Sequence, residues 1–280
     1  MKRRILLIMI LTLIAPQMMR VCADEPLRPV RSSFMLEGGS SHILDTYLSP
    51  LKYTGWQAGF AYERTQAMKF SPERWRQRLE LSVQIGHADN PARNASLIYP
   101  ELGACWGMSR LWSLPCGVYF TAGGAGGGNL GVIYSTRNGN NPVSVKADIY
   151  VGATGSVGYK IPLRKLPLTL RWQTTLPLTG VFFSPQYDEL YYEISLGNRH
   201  GLAHWAWPGN MFRWDNLVTA DLGFGNTTLR VGMRSRIYST EVNHITTRCF
   251  SYTFVLGIVT DWLSVSPRHP LTDREMQWAY

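Results

Sequence analysis

His200 and His204 lie four residues apart in the run "NRHGLAHWAW", a spacing that holds zinc when both histidines share a helical face. A zinc protease needs Glu directly after the first histidine. Here that position is Gly201, and Pro208 and Gly209 follow closely. The segment reads instead as an outer loop in which His200, His204, Trp205 and Trp207 form an aromatic patch. Such a patch serves as a partner or glycan platform, or packs over an opening beneath it.

Acyl-transfer chemistry needs a hydroxyl beside a histidine that takes its proton. The histidines are His42, His87, His200, His204, His244 and His269, and none has Ser two residues on. His244-Ile245-Thr246 is the nearest echo, and as a solvated loop residue His244 needs no such role. No catalytic residue, metal or cofactor is expected.

The stretch Phe120–Gly131, "FTAGGAGGGNLG", offers a third chemistry. Gly123 and Gly128 have the spacing of a phosphate loop, and Gly126, Gly128 and Gly131 spell a dinucleotide fingerprint. A phosphate loop continues with Lys and Ser or Thr, but Asn129 and Leu130 follow here. A fingerprint opens a helix, yet Gly131 leads into Val-Ile-Tyr-Ser-Thr. A membrane helix with G-x-x-x-G packing is the rival, since no charge falls between Arg110 and Arg137. Each glycine costs a helix about 1 kcal/mol against Ala. A strand whose glycines make room for bulky neighbours such as Tyr150 fits better.

The elements around these residues alternate with period two. In Arg78–Gly86, Leu79, Leu81, Val83 and Ile85 share one face, and Arg78, Glu80, Ser82 and Gln84 the other. The pattern recurs, giving ten strands near 31–40, 53–67, 76–88, 96–108, 116–135, 143–160, 167–179, 212–223, 227–240 and 246–261. Many exceed the roughly 9–11 residues that cross a bilayer on a tilt. Tyr53, Trp56, Trp106, Trp112, Tyr159, Trp214 and Trp262 fall near strand ends, as an interfacial girdle requires. The fold class is therefore all-β, a transmembrane antiparallel up-and-down barrel of about ten strands. Weak alternation over Tyr191–Leu196 makes twelve the alternative, and a secreted soluble β-protein is the other reading of the same periodicity.

Short turns are expected at 70–74, 109–114, 161–166 and 224–226, with both chain ends on that periplasmic side. The inward faces then collect six acids, Glu63, Glu80, Glu101, Asp148, Asp215 and Asp221, and six bases, Arg78, Lys146, Arg171, Arg230, Arg234 and Arg236. With Phe224 and Gly225 central in their hairpin, Asp215 faces Arg234 and Thr219 faces Arg230. Balanced charge in a barrel of this size implies a lumen largely closed by ion pairs. Cys105 reads inward and Cys116 outward, so no unstrained disulfide joins them.

The chain opens "MKRRILLIMILTLIAPQMMRVCADEP". Three bases, an apolar run and a small-residue site mark residues 1–23 as a secretory signal that is removed. Arg20 and Val21 suit a lipobox poorly, so Cys22 is not read as a lipid anchor. Of 28 bases and 19 acids, four bases fall in this segment, leaving +5. That mild, scattered charge gives no basis for nucleic-acid binding. Residues 24–262 would form the barrel and 263–280 a periplasmic tail.

Three passages, "LDTYLSPLKYTGWQAGFAYER", "FFSPQYDELYYEISLGN" and "NHITTRCFSYTFVLGI", resemble uncharacterised outer-membrane β-barrel proteins of the Bacteroidota, a family of unknown function. The resemblance implies fold and outer-membrane location in a Gram-negative bacterium, and transfers no site residue. The expected partners are outer-membrane lipids and the barrel-assembly machinery. The expected role is a structural, narrow-transport or surface-interaction barrel. A lipid-modifying enzyme of the phospholipase or lipid A deacylase type is the alternative.

Overall fold

A computed structural model describes residues 27–163, 166–197, 201–224, 227–263 and 279. The expected signal segment lies outside them, as do His200 and the tail apart from Leu263 and Ala279.

The long strands are β1 (Val30–Asp45), β2 (Ser49–Ala67), β3 (Trp75–Asp89), β4 (Ser96–Ser113), β5 (Val118–Ser135), β6 (Val143–Ile161) and β7 (Leu168–Phe183). A one-turn helix, α1 (Tyr191–Ser195), and a short strand, β8 (Ala203–Ala206), precede β9 (Met211–Phe224), β10 (Thr227–Val242) and β11 (Ile245–Trp262). Neighbours pair antiparallel in chain order, and β1 closes on β11 from Val30↔Trp262 to Asp45↔Thr247. β7 pairs with β9 over its first half and with β8 at its far end. β8 and β9 thus form one wall position interrupted by the turn at 207–210, and the barrel has ten positions. The twelve-strand alternative fails because Tyr191–Ser195 is helical. Glu193 explains this: its carboxylate accepts from the Leu190 amide and caps the turn.

Three further expectations are corrected. The β4–β5 turn lies at 114–117, not 109–114, because alternation persists to Ser113 and Gly117 supplies the positive φ of 83°. In the β9–β10 hairpin Phe224 faces Thr227, Asp221 faces Arg230 and Asp215 faces Arg236. The register lies two residues from the expected one, which keeps every face as expected. Tyr53 points inward and is buried, while Trp56, Trp106, Tyr159, Trp214 and Trp262 are exposed on the outer wall. At the β10–β11 turn, Asn243 and His244 both have positive φ, 54° and 61°, as a type I′ hairpin needs.

The outer wall is apolar: Leu36, Val83, Leu102, Ile149, Phe254 and Leu256 are all exposed. It suits a bilayer and would be a liability in water.

The glycine-rich run is strand β5, neither loop nor helix. Two of its inward glycines, Gly127 and Gly131, lie beneath aromatic rings. A Cβ on Gly127 would meet Tyr150 Oη at 2.6 Å, and one on Gly131 would meet the Tyr99 ring at 2.7 Å. Gly158 on β6 lies in the same way under Tyr119. Gly127→Val should therefore displace Tyr150 and destabilise the refolded barrel by about 1–3 kcal/mol, read as a lower urea midpoint. Gly124→Ala, on the outward face with its nearest neighbour at 3.8 Å, should leave that midpoint unchanged.

Candidate functional site

All twelve charged residues expected inside the barrel point inward, and the structure brings them together in tiers. Nearest the short turns, Glu63 Oε1 accepts from Arg171 at 2.8 Å and from Arg230 at 3.2 Å, and its other oxygen lies 3.8 Å from Arg78. Arg230 forks onto Asp221 through Nε and Nη2, both at 2.8 Å, and donates to Ser33 Oγ at 2.9 Å. In the middle tier Arg234 holds Asp215 at 2.6 Å, Glu37 at 3.1 Å, and Glu80. Arg236 lies 2.5 Å from Glu37, and Arg78 lies 3.1 Å from Glu80. Toward the loops, Arg213 joins Glu101 at 2.9 Å and Asp148 at 3.0 Å, and Lys146 pairs with Asp45 at 2.9 Å.

Glu37, Asp45 and Arg213 belong to these tiers but escaped the sequence reading. Asp45 and Arg213 continue the inward parity of Ser41 and Asp215, beyond or at the edge of where their strands were expected to end. Glu37 shares the parity of Met35 and Gly39, so mixed apolar and polar neighbours hid its face. With them the lumen groups in ion pairs comprise eight carboxylates and seven cations among the described residues. Such a set is nearly neutral, and each member has a partner within reach, which is the condition under which buried charge is tolerated.

Above the charged tiers an apolar plug fills the lumen. Ile43, Tyr53, Leu97, Ile133, Phe182 and Met211 are its main members, all buried. The segment after β7 folds over it. Tyr47 Oη donates to the Glu189 carbonyl at 2.7 Å and accepts from Asn141 at 2.6 Å. Tyr191 Oη accepts from the Val145 amide at 2.7 Å. Burial pushes both phenols above their ordinary value, so both stay protonated near neutrality. At the opposite mouth Ala279 is buried, and its carbonyl accepts from Arg76 Nε at 2.7 Å. Gaps between the lumen side chains measure about 50, 30 and 20 Å³, room for a few waters rather than a hydrated solute.

The expected aromatic patch divides. Trp205 and Trp207 are exposed, 68% and 56%, so they do not pack over the barrel mouth. His204 turns inward from β8. Its ring lies tilted against that of Phe182, with centroids 5.5 Å apart, and its Nε2 lies 3.1 Å from the Ser184 carbonyl and 3.2 Å from the Asn243 amide nitrogen. Period two explains the split, since β8 alternates outward Ala203 and Trp205 with inward His204 and Ala206.

The arrangement nearest to hydrolytic chemistry lies on the outer wall. Ser96 Oγ donates to Asp89 Oδ1 at 2.6 Å, and His87 Nε2 lies 3.9 Å from the same oxygen. The carboxylate stands between hydroxyl and imidazole. Proton abstraction from Ser needs the imidazole there instead, so this trio holds a hydroxyl without activating it. Cys105, Cys116 and Cys249 are free thiols.

A family model described as "Protein of unknown function (DUF3316)" matches residues 5–269. No curated protein matches the chain. Among solved structures, the β domain of the Bordetella autotransporter BrkA is 10% identical, with 84% of this chain and 100% of that one covered and a TM-score of 0.43. The outer membrane protease OmpT from Escherichia coli is 7% identical, with 87% and 99% covered and a TM-score of 0.45. The transport unit of the autotransporter AIDA-I from Escherichia coli is 9% identical, with 87% and 93% covered and a TM-score of 0.40. At these identities the likeness is one of fold alone.

Proposed function

The chain belongs to this DUF3316 family of unknown function, and we propose that it is a closed outer-membrane barrel that works as a structural or surface-interaction element, through its outer wall and loops rather than through its lumen. The observation that carries this is the filled interior. Three tiers of ion pairs beneath an apolar plug leave gaps of about 50, 30 and 20 Å³ between the lumen side chains. A selective pore would instead line an open path with charge of one sign. Narrow transport is the less favoured reading because the lumen cations are met by carboxylates at each level among the described residues: Arg171 and Arg230 by Glu63 and Asp221, Arg234 and Arg236 by Glu37 and Asp215, and Arg213 by Glu101 and Asp148.

On this reading residues 1–23 direct export and are removed, residues 24–262 form the barrel, and the tail lies at the periplasmic mouth. The partners are then outer-membrane lipids and the barrel-assembly machinery. Source in the Bacteroidota rests on the resemblance of the three passages alone. Vesicles carrying the refolded protein should swell in arabinose no faster than empty vesicles. Swelling that rises with the amount of inserted protein would reject the closed-lumen reading.

A further inference from the structure

Two cations and a histidine cluster on the outer wall where it leaves the bilayer at the loop end. His42 on β1, Lys52 on β2 and Arg248 on β11 are all exposed and line one apolar concavity of about 230 Å³, with Leu44, Thr54 and Phe250. The ladders bring them together. Leu44 faces Arg248 on one side, and His42 faces Phe250 on that side and Thr54 on the other, with Lys52 two residues on. Cross-strand neighbours of this kind have Cβ atoms about 4.5–5.5 Å apart.

The height of the cluster is set by the aromatics beneath it. Ser40 faces both Tyr252 and Trp56, and both rings are exposed on the outer wall. Below them come Leu36, Phe60, Phe254 and Leu256, all exposed. Tyr and Trp belong at the boundary of hydrocarbon and headgroup. His42 lies two residues above them, a rise of about 7 Å, which is headgroup level.

The charges there are uncompensated. Among the described residues neither Lys52 nor Arg248 makes an ion pair, and His42 has no carboxylate within salt-bridge distance. Glu241, diagonal to Arg248 across the β10–β11 ladder, pairs with none of them. Asp89, beside Thr54 on β3, accepts from Ser96 at 2.6 Å and lies near His87. Inside this barrel nearly every charge has a partner, and on this bilayer-facing patch Lys52 and Arg248 do not.

We propose that His42, Lys52 and Arg248 bind the phosphate of a phosphorylated lipid of the outer leaflet, with its apolar portion in the concavity and along Phe250, Tyr252 and Trp56. The proposal builds on the outer-membrane reading with the loop end outward, but its test needs neither orientation nor a closed lumen. Refolded protein in non-ionic micelles is titrated with fluorescent bis-phosphorylated lipid A and with its dephosphorylated form. The triple variant His42→Gln, Lys52→Gln, Arg248→Gln should bind the phosphorylated probe at least about twenty-five-fold more weakly, roughly fivefold for each of Lys52 and Arg248. Arg64→Gln, Lys69→Gln, Arg110→Gln, which removes three exposed cations at the other rim, should bind as the wild type does. Heat-modifiable gel migration reports folding of both. If the triple variant does not fold, Lys52→Gln and Arg248→Gln singly should each weaken binding about fivefold. Equal losses in the two triple variants, no loss in the single ones, or equal binding of the dephosphorylated probe would overturn the assignment.

Discussion

Arg230→Met should lower the stability of the refolded barrel by about 3–5 kcal/mol, the usual consequence of stripping one partner from a buried ion pair. Arg230 is fully buried, with 0% of its surface exposed. It forks onto Asp221, reaches Glu63 at 3.2 Å and Ser33 at 2.9 Å, and so ties β10 to β9, β2 and β1. Met fills much of the space but answers neither carboxylate. Glu63 keeps Arg171 at 2.8 Å, whereas Asp221 loses the only cation it contacts in an ion pair among the described residues. The penalty should therefore fall chiefly on Asp221, and Arg230→Met with Asp221→Leu should recover most of the loss, because an apolar pair of similar volume is tolerated where a lone buried charge is not. Urea unfolding in lipid vesicles, followed by tryptophan fluorescence, measures both. A loss below about 1 kcal/mol, typical of exposed pairs, would show that water reaches this tier.

Arg234→Met should have the largest effect on the seal. Arg234 is the cation on which Asp215, Glu37 and Glu80 converge. Without it three carboxylates share Arg236 and Arg78, and the middle tier, balanced in the wild type by three cations against three carboxylates, is left with one uncompensated negative charge. Carboxylates that cannot be neutralised by protein draw in water and cations. The variant should unfold at lower urea and leak cations in preference to anions. Arg234→Lys should fall between the two, since a point charge keeps the electrostatics but not the fork that grips Asp215 through Nε and Nη2. Equal leak from the Lys and Met variants would assign the seal to shape rather than charge.

The wall of this barrel was legible in the sequence because period two is strong wherever one face is lipid and the other polar. Leu79 to Ile85 against Arg78 to Gln84 leaves one assignment open. The twelve lumen charges followed from the same parity, and a register error of two residues in the β9–β10 hairpin did not disturb it. Parity gave out where both faces of a strand are apolar. The plug residues Ile43, Tyr53, Leu97 and Phe182 look like wall residues in sequence, and only closure of the barrel shows that they fill its mouth. Glu37 was lost between Met35 and Gly39 for a related reason. The exposed residues His42, Lys52 and Arg248 come from three strands, of which two are neighbours only because the barrel closes β1 on β11. No local pattern in the chain could have grouped them.

The most direct measurement is the conductance of the refolded wild type in a planar bilayer, recorded beside Arg234→Met. A silent wild type, with leak appearing in the variant, is the result expected of a lumen closed by ion pairs. Steady, resolved conductance steps from the wild type would contradict it and would place the function of this protein inside the barrel.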